Sequence, residues 1–451
     1  MSILNISRFD QTVGFIALTL CLVIVLLIWR GEQIDLRVIA FSPTDQAEAV
    51  STSTDINVTF NQPLLITGQP GSFQIDPPLD GTTRRAGNTL TFSPVSAFEP
   101  NTFYTITVSG DVQSQSGKTL EQPLVFHFQT SQPRLLYLGP NEENRMQLYQ
   151  TTLTNEIPQA ITTAPFGVMD YQVADDHETV VFSGPNDDDG SSLWLVDLNV
   201  GETQLLLDCG ENHCSDPNWS PGRGQSRLIY TRRDRSGPPS LWWFDLNEGE
   251  TTPVFEDEQT LGYAARFSEN QDWLAYLSPM EEGVRLVNLD AGDSVLLRIQ
   301  LGSPPAWSPD GRYLIIRDTV LLDGRFTQQL FRIDVETQET TNLSGEIQVE
   351  DAIPSWSPNG QMIAFGRTQP ALTATQQIWL MNADGSNPRP LTDEPQIFHN
   401  TPAWSDDGQL LAFQRYSREA NATKAGIWLL DINTGEQRQL TSAGRSITWL
   451  P

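Results

Sequence analysis

The chain has 451 residues, and its 56 acidic residues against 27 basic ones give a formal net charge of -29. This length allows about three domains of roughly 100 to 200 residues each. The acidic excess excludes nucleic acid as an expected partner, because affinity for phosphates depends on clustered Lys and Arg. Charged residues make up only 18% of the chain, and its 30 Pro and 32 Gly are typical of short strands joined by turns. We therefore predict an all-β protein.

An uncharged segment lies near the N-terminus, between Asp10 and Arg30. Its apolar run is nearly long enough to cross a bilayer core, so we predict a transmembrane helix at about 13–29 within an N-terminal region 1–35. A cleaved signal peptide is the alternative, but R-G-E-Q-I-D after the run offers no small-x-small cleavage site. We expect an uncleaved signal anchor, a single pass through the cell membrane, and an extracytoplasmic C-terminal bulk in the periplasm or at the cell surface.

The next segment, 36–131, contains short stretches in which apolar and polar residues alternate. D-I-N-V-T-F, N-T-L-T-F, F-Y-T-I-T-V and L-V-F-H-F are four of them, separated by turn sequences such as P-P-L-D-G. A period of two predicts strands with one buried face, and about 95 residues of this pattern suit a small β-sandwich. The motifs F-S-P-T-D, I-N-V-T-F-N-Q-P and F-E-P-N-T-F-Y-T-I-T-V-S-G-D-V resemble the bacterial Ig-like domain of the SbsA type. This resemblance implies a spacer or adhesion module.

Residues 134–451 are built from a repeat. Its clearest copies are P-A-W-S-P-D-G-R-Y-L-I-I, P-S-W-S-P-N-G-Q-M-I-A-F and P-A-W-S-D-D-G-Q-L-L-A-F, each followed by three further strand-like stretches. Four strands in a unit of roughly 40 to 49 residues predict a β-propeller. The aromatic residues that open the successive units are Tyr171, Trp219, Phe267, Trp307, Trp356, Trp404 and Trp449.

The first and last parts of this region complete each other. The stretches at 134–162 lack a first strand, whereas the final I-T-W-L-P lacks the three strands that should follow it. Pairing these fragments would close the ring and leave no open sheet edge. We therefore predict seven four-stranded blades with closure by the C-terminal strand.

The W-S-P-D-G and I-W-L-M-N-A-D-G-S-N-P-R-P-L-T segments resemble the TolB-type, WD-like β-propeller repeat. This resemblance implies a protein-binding platform in the bacterial envelope. The same repeat also forms the gating propeller of prolyl oligopeptidase-type enzymes, which carry an additional α/β-hydrolase domain. No G-x-S-x-G, H-E-x-x-H or phosphate-loop motif occurs in the sequence, so we predict no catalytic residues and no cofactor.

Two cysteines of the propeller region stand close together in C-G-E-N-H-C. Cys209 and Cys214 are candidates for a disulfide, which would suit an oxidising compartment. The alternative is a metal site that adds His213, although zinc sites usually have a fourth ligand. The acidic run that contains Asp187 and Asp188 could bind calcium, but it lacks the other ligands of an EF-hand loop, and a solvated turn is the preferred interpretation.

Three arginines follow the second strands of their units, in Y-T-R, F-G-R and F-Q-R. Equal register would place Arg232, Arg367 and Arg415 on the same face of the ring, where they could bind a carboxylate. The alternative is that each pairs with a neighbouring acidic residue.

The connections after second and fourth strands vary most in length, and in a propeller they open on the same face. We call this the loop face. Because functional residues concentrate in loops on a rigid scaffold, we predict that the loop face binds a protein or glycan of the cell envelope, and that its binding residues include Asp187, Asp188, His213, Arg232, Arg367 and Arg415. An enzyme that acts on polysaccharide or peptide in the propeller channel is the alternative, and a membrane sensor is a third.

Overall fold

The computed structural model describes residues 18–22, 35–65, 72–110, 112–153, 157–220, 226–255, 261–269, 273–289, 291–299, 303–345, 347–369, 375–417 and 425–450. The chain divides into two compact units, Met1–Gln132 and Pro133–Pro451.

The predicted transmembrane helix, about 13–29, falls mostly outside the described residues. Within it only 18–22 are described, and they are helical. In the described part of the chain no helix is long and apolar enough to cross a membrane. The prediction of a transmembrane helix as part of the fold class is therefore wrong.

The first unit is a β-sandwich, as alternation of period two leads one to expect. One sheet has the strand order β1-β3-β6-β5 and the other has β2-β8-β7-β4. The strands are β1 (Val38–Ser42), β2 (Ala47–Val50), β3 (Ile56–Phe60), β4 (Phe73–Asp76), β5 (Gly81–Ala86), β6 (Thr89–Pro94), β7 (Phe103–Val108) and β8 (Leu124–Thr130). The inward residues Ile56, Val58 and Phe60 of β3 are fully buried in a single core.

The second unit contains seven blades of four antiparallel strands among the described residues, and we number them from the blade that holds both ends of the unit. Blades 2 and 3 form one eight-stranded sheet, because Ser191 in blade 2 pairs in parallel with His213 in blade 3. Blade 1 consists of β36 (Arg445–Leu450), β9 (Arg134–Pro140), β10 (Met146–Thr152) and β11 (Gln159–Ala160). Blade 2 consists of β12 (Asp170–Val173), β13 (Thr179–Pro185), β14 (Ser191–Asp197) and β15 (Thr203–Leu207), and blade 3 of β16 (His213–Trp219), β17 (Arg227–Arg233), β18 (Pro239–Asp245) and β19 (Glu250–Pro253).

The remaining four blades follow in chain order. Blade 4 consists of β20 (Tyr263–Phe267), β21 (Trp273–Ser278), β22 (Gly283–Asn288) and β23 (Ser294–Arg298), and blade 5 of β24 (Ala306–Trp307), β25 (Tyr313–Leu322), β26 (Arg325–Asp334) and β27 (Thr340–Asn342). Blade 6 consists of β28 (Glu350–Trp356), β29 (Met362–Thr368), β30 (Gln377–Asn382) and β31 (Arg389–Pro390), and blade 7 of β32 (Phe398–Trp404), β33 (Leu410–Tyr416), β34 (Gly426–Asp431) and β35 (Gln437–Gln439).

The C-terminal strand closes the propeller. β36 pairs antiparallel with β9, with Trp449 opposite Leu135 and Leu450 opposite Arg134. This pairing provides hydrogen-bond partners for backbone N–H and C=O groups at a sheet edge that would otherwise be exposed. It confirms the predicted closure, and the all-β class with an Ig-like region followed by a propeller is confirmed as well.

A chain of indole hydrogen bonds connects the first strands of neighbouring blades. Each of four tryptophans donates its Nε1–H to a backbone carbonyl in the first strand of the preceding blade, at 3.0 to 3.3 Å. The pairs are Trp307 with Arg266, Trp356 with Ala306, Trp404 with Ser355 and Trp449 with Ala403. The repeated tryptophan thus fills the gap between blades and also satisfies its own polar group there.

Candidate functional site

The loop face of blades 2 and 3 is built from three connections that contact one another. Cys209 and Cys214 form a disulfide, with their Cα atoms 6.3 Å apart. The loop between them packs on the connection after β13, where Asn186 Nδ2 donates to the Gly210 carbonyl at 2.8 Å. On its other side, Glu211 accepts a hydrogen bond from Arg235 Nη1 at 2.9 Å.

Gly190 shows how closely the first two connections approach. A Cβ atom at this position would lie 2.1 Å from the Gly210 carbonyl oxygen and 2.4 Å from that of Asn212. Only glycine allows such an approach of two backbones. The disulfide loop is therefore held against blade 2 by main-chain packing.

Asp187 and Asp188 lie at the exposed tip of the connection after β13. The turn is stabilised by Asn186, whose Oδ1 accepts hydrogen bonds from the backbone N–H groups of Asp188 and Gly190. In the part of the chain that the structure describes, no group of three or more His, Cys, Asp or Glu residues is placed to hold a metal ion.

The three arginines occupy equivalent positions in their blades. In β-sheet register, Arg232 lies opposite Cys214, Arg367 opposite Asp351 and Arg415 opposite His399. Each guanidinium contacts a carboxylate: Arg232 contacts Asp234 at 3.2 Å, Arg367 contacts Asp351 at 2.6 Å and Arg415 contacts Glu394 at 2.6 Å. Each of them is thus partnered by an acidic residue of its own blade or of the preceding one.

His399, which lies opposite Arg415 in blade 7, also contacts blade 6. It is fully buried, with Nδ1 3.0 Å from Gln377 Oε1 and Nε2 3.6 Å from Glu394 Oε1. Burial, together with the charge of Arg415, lowers the pKa of His399 to about 4. The imidazole is therefore neutral at physiological pH, and since Gln377 Oε1 is an acceptor, Nδ1 carries the proton.

A cavity of about 370 Å³ opens beside the disulfide loop, where the first strands of blades 2 to 4 begin. Its walls combine the apolar Met169 and Tyr263 with the charged Asp216 and Arg233, and His213 lies at its edge. Arg233 is exposed, pairs with His213 across the strands, and has no ion pair among the described residues. Of the sequence-predicted residues, the cavity includes His213 but not the three arginines discussed above.

Two carboxylates and a guanidinium in the first strands of blades 2 to 4 were not among the residues predicted from the sequence. The backbone N–H of Asp216 donates to Asp170 Oδ2 at 3.3 Å, and Arg266 interacts with both carboxylates. Burial raises the pKa of Asp170 to about 6, with a further contribution from the charge of Asp216. The sequence contained one indication that Asp216 is unusual. It precedes the proline of P-N-W, at a position where the later units have the uncharged Ile353 and Thr401.

The comparisons with known proteins agree with this architecture. Residues 264–448 match the family model described as TolB beta propeller domain, and residues 32–130 match the model described as Bacterial Ig-like domain. The chain joins a bacterial Ig-like domain to a TolB β-propeller. Both family resemblances predicted from the motifs are thus confirmed. No curated protein matches the sequence.

Several solved structures resemble this chain. Puromycin hydrolase is 16% identical over 70% of this chain and 53% of its own, with a TM-score of 0.52. A puromycin-hydrolyzing peptidase of Mycobacterium tuberculosis is 14% identical over 68% of this chain and 53% of its own, with a TM-score of 0.51. The chain therefore spans about half the length of these two enzymes, and at such identities the likeness shows the fold alone. TolB from Acinetobacter baumannii is 12% identical over 92% of this chain and 99% of its own, but its TM-score of 0.43 carries no argument.

Proposed function

We propose that this chain is an extracytoplasmic binding protein that docks a protein partner of the cell envelope on the loop face of its propeller. The observation that carries this proposal is the distribution of exposed apolar side chains. Among the described residues of the propeller, those on the loop face are Phe166, Met169, Met280, Leu321, Phe326 and Ile347. Those elsewhere are Ile157, Val200, Leu205 and Ile353, which lies in the first strand of blade 6.

The most prominent of these residues lie on one hairpin. The second and third strands of blade 5 have ten residues each, and Leu321 lies directly opposite Phe326 near the turn. Phe326 is 72% exposed and Leu321 is 59% exposed. A pair of large apolar side chains at the tip of a regular hairpin is well suited to act as an anchor in a protein interface, where buried aromatic residues carry much of the binding energy.

Three further observations support the location and the kind of partner. A disulfide on the loop face suits an oxidising compartment outside the cytoplasm. TolB-like propeller domains are typically extracytoplasmic and generally mediate protein interactions in the envelope. The net charge of -29 would also speed association with a basic partner.

Site-specific photo-crosslinking in intact cells of the native host tests this proposal. A benzophenone amino acid replaces Phe326 in one variant and Val200, which is 71% exposed, in the matched control. We expect a discrete protein adduct at position 326 that is absent at position 200 and is lost when Leu321→Asp is added. Equal adducts at both positions, no protein adduct at position 326, or an adduct that survives Leu321→Asp would contradict docking at this hairpin.

The alternative function, an enzyme that acts on polysaccharide or peptide in the channel, is favoured by Asp170 and Asp216. An aspartic acid with a pKa of about 6 next to a second carboxylate can exchange protons near neutral pH. The test is release of fragments from isolated cell-wall polysaccharide and from casein at pH 6. Loss of a wild-type activity in Asp170→Asn would favour the enzyme, whereas a wild type without activity on either substrate would favour the binding protein.

A further inference from the structure

At one position of the propeller repeat, blade 4 differs from the other six blades. The fourth residue of the second strand pairs with a third-strand residue on the side that faces the preceding blade. In six blades that third-strand residue is aromatic, namely Tyr149, Trp194, Trp242, Phe331, Trp379 and Trp428. In blade 4 it is Arg285, opposite Tyr276. Blade 4 therefore lacks the third-strand ring of the other blades, although the ring of Phe255, from the connection that leads into blade 4, packs against Tyr276 with the ring centroids 5.4 Å apart.

The side chain of Arg285 does not fill the space that the third-strand ring would occupy, because Glu281 and Ser294 hold its guanidinium at the rim of that space. Nε of Arg285 donates to Glu281 Oε2 at 2.9 Å, Nη2 donates to the same oxygen, and Nη1 donates to Ser294 Oγ at 3.2 Å. A cavity of about 500 Å³ remains between blades 3 and 4. Its apolar walls include Phe255, Leu261 and Val287, and it reaches the loop face at Met280 and Glu281. This volume falls within the range of small-molecule sites.

A buried hydroxyl group borders the same cavity. The side chain of Tyr276 is fully buried, and its hydroxyl has no hydrogen-bond partner in the part of the chain that the structure describes. Buried polar groups normally have hydrogen-bond partners, since leaving one unpaired is unfavourable. Burial raises the pKa of Tyr276 to about 12, so the hydroxyl stays protonated and can donate.

Blade 3 provides the matched comparison. Tyr230 occupies the equivalent position of its second strand, but its register partner is the aromatic Trp242, and its hydroxyl is hydrogen-bonded with Thr251. The unpartnered hydroxyl and the missing third-strand ring thus occur together in blade 4.

We propose that the cavity between blades 3 and 4 binds a planar aromatic ring that carries a hydrogen-bond acceptor. The ring takes the place of the aromatic side chain of the other six blades, between Phe255 and the rim. Its acceptor receives the hydrogen bond of Tyr276, and the guanidinium of Arg285 lies where it can contact the face of the ring. This site is independent of the docking hairpin in blade 5.

The test uses calorimetric titration with N-acetyl-tryptophan amide, which has a ring and carbonyl acceptors, and with indole, which has the ring alone. We expect the wild type to bind the amide more tightly than indole. Tyr276→Phe should weaken binding of the amide about 3- to 10-fold, the value of one hydrogen bond, without lowering the melting temperature. Arg285→Trp, which introduces the residue of blades 2, 3, 6 and 7, should abolish binding and raise the melting temperature, because it fills the cavity.

Tyr230→Phe is the control for both measurements. It should leave binding unchanged and lower the melting temperature, because it removes a hydroxyl that has a partner. Three results would overturn the proposal: a wild type that binds neither probe, a drop in melting temperature for Tyr276→Phe equal to that for Tyr230→Phe, or unchanged binding by Arg285→Trp.

The ring could belong to a free metabolite or to an aromatic side chain of a protein. Indole-3-acetamide and the capped peptide acetyl-Gly-Trp-Gly-amide distinguish these two sources. Tighter binding of the free amide supports a small molecule, and tighter binding of the peptide supports an aromatic side chain; both results agree with the proposed ring site.

Discussion

The two halves of the propeller use the same repeat in different ways. In blades 5 to 7 and at the closure, each first-strand tryptophan bonds to the preceding blade. In blades 2 to 4 the corresponding residues are Tyr171, Trp219 and Phe267. The Tyr171 hydroxyl still donates to the Ser446 carbonyl in the first strand of blade 1 at 2.6 Å. The indole N–H of Trp219, in contrast, is buried with no partner among the described residues. Both the cavity beside the disulfide loop and the cavity with Tyr276 border these less regular blades. Regular repeats thus mainly stabilise the ring, whereas the departures from them create space for ligands.

The strongest test of this difference compares two equivalent arginines. Arg367 and Asp351 are almost completely buried, with side-chain exposures of 2% and 0%, whereas Arg232 in blade 3 is 32% exposed and pairs with an exposed aspartate. Arg367→Ala should lower the free energy of unfolding by about 3 to 5 kcal/mol, because it leaves a buried carboxylate unpaired. Arg232→Ala should lower it by less than about 1 kcal/mol.

Urea titration followed by tryptophan fluorescence measures both variants, since all tryptophans except Trp29 lie in residues 134–451. Double replacement by Asp351→Leu and Arg367→Met should recover much of the loss, because the isolated charge is gone. Similar losses for Arg367→Ala and Arg232→Ala would remove the distinction between the two blades.

A second comparison concerns pH and the residues opposite Arg415 and Arg232. His399 has its pKa lowered to about 4 by burial and by Arg415, whereas the equivalent Cys214 is in a disulfide and does not titrate. Between pH 6.5 and 4 the unfolded chain takes up a proton that the folded chain rejects, so stability should fall as pH falls, by about 3 kcal/mol in total.

The measurement is the difference in unfolding free energy between the wild type and His399→Gln across this pH range. Taking this difference removes the contribution of Asp170, which is present in both proteins. The raised pKa of Asp170 would otherwise make stability rise as pH falls, opposite to the effect of His399. A difference that stays constant between pH 7 and pH 4 would show that His399 is protonated equally in both states.

The smallest expected effect separates the two kinds of tryptophan. Trp404→Phe removes an indole donor that bonds to Ser355, whereas Trp219→Phe removes one that has no described partner. Both changes reduce side-chain volume, so the additional loss in Trp404→Phe should be about 0.5 to 1.5 kcal/mol. Chemical denaturation of the two variants gives this value. An equal or larger loss in Trp219→Phe would mean that its indole is also bonded.

The sequence by itself determined the order of the domains, the blades and the closure of the ring. These features follow from local periodicity and from turn residues such as those of S-P-D-G, which recur in every clear unit. The Ig-like strands could be predicted for the same reason, because alternation along one strand already identifies its buried face. The transmembrane prediction rested on hydropathy alone, and the structure does not support it.

Only the tertiary structure decided which side chains meet. The motifs placed Arg232, Arg367 and Arg415 in equal register, but they did not identify the acidic partners. Arg232 pairs with the nearby Asp234, whereas the partners of Arg367 and Arg415 lie 16 and 21 residues earlier in the chain. The significance of Arg285 depends on its strand register with Tyr276 and on the wall of the preceding blade. Local patterns are sufficient to form strands, whereas cavities and buried charges arise between strands and blades, where packing decides the outcome.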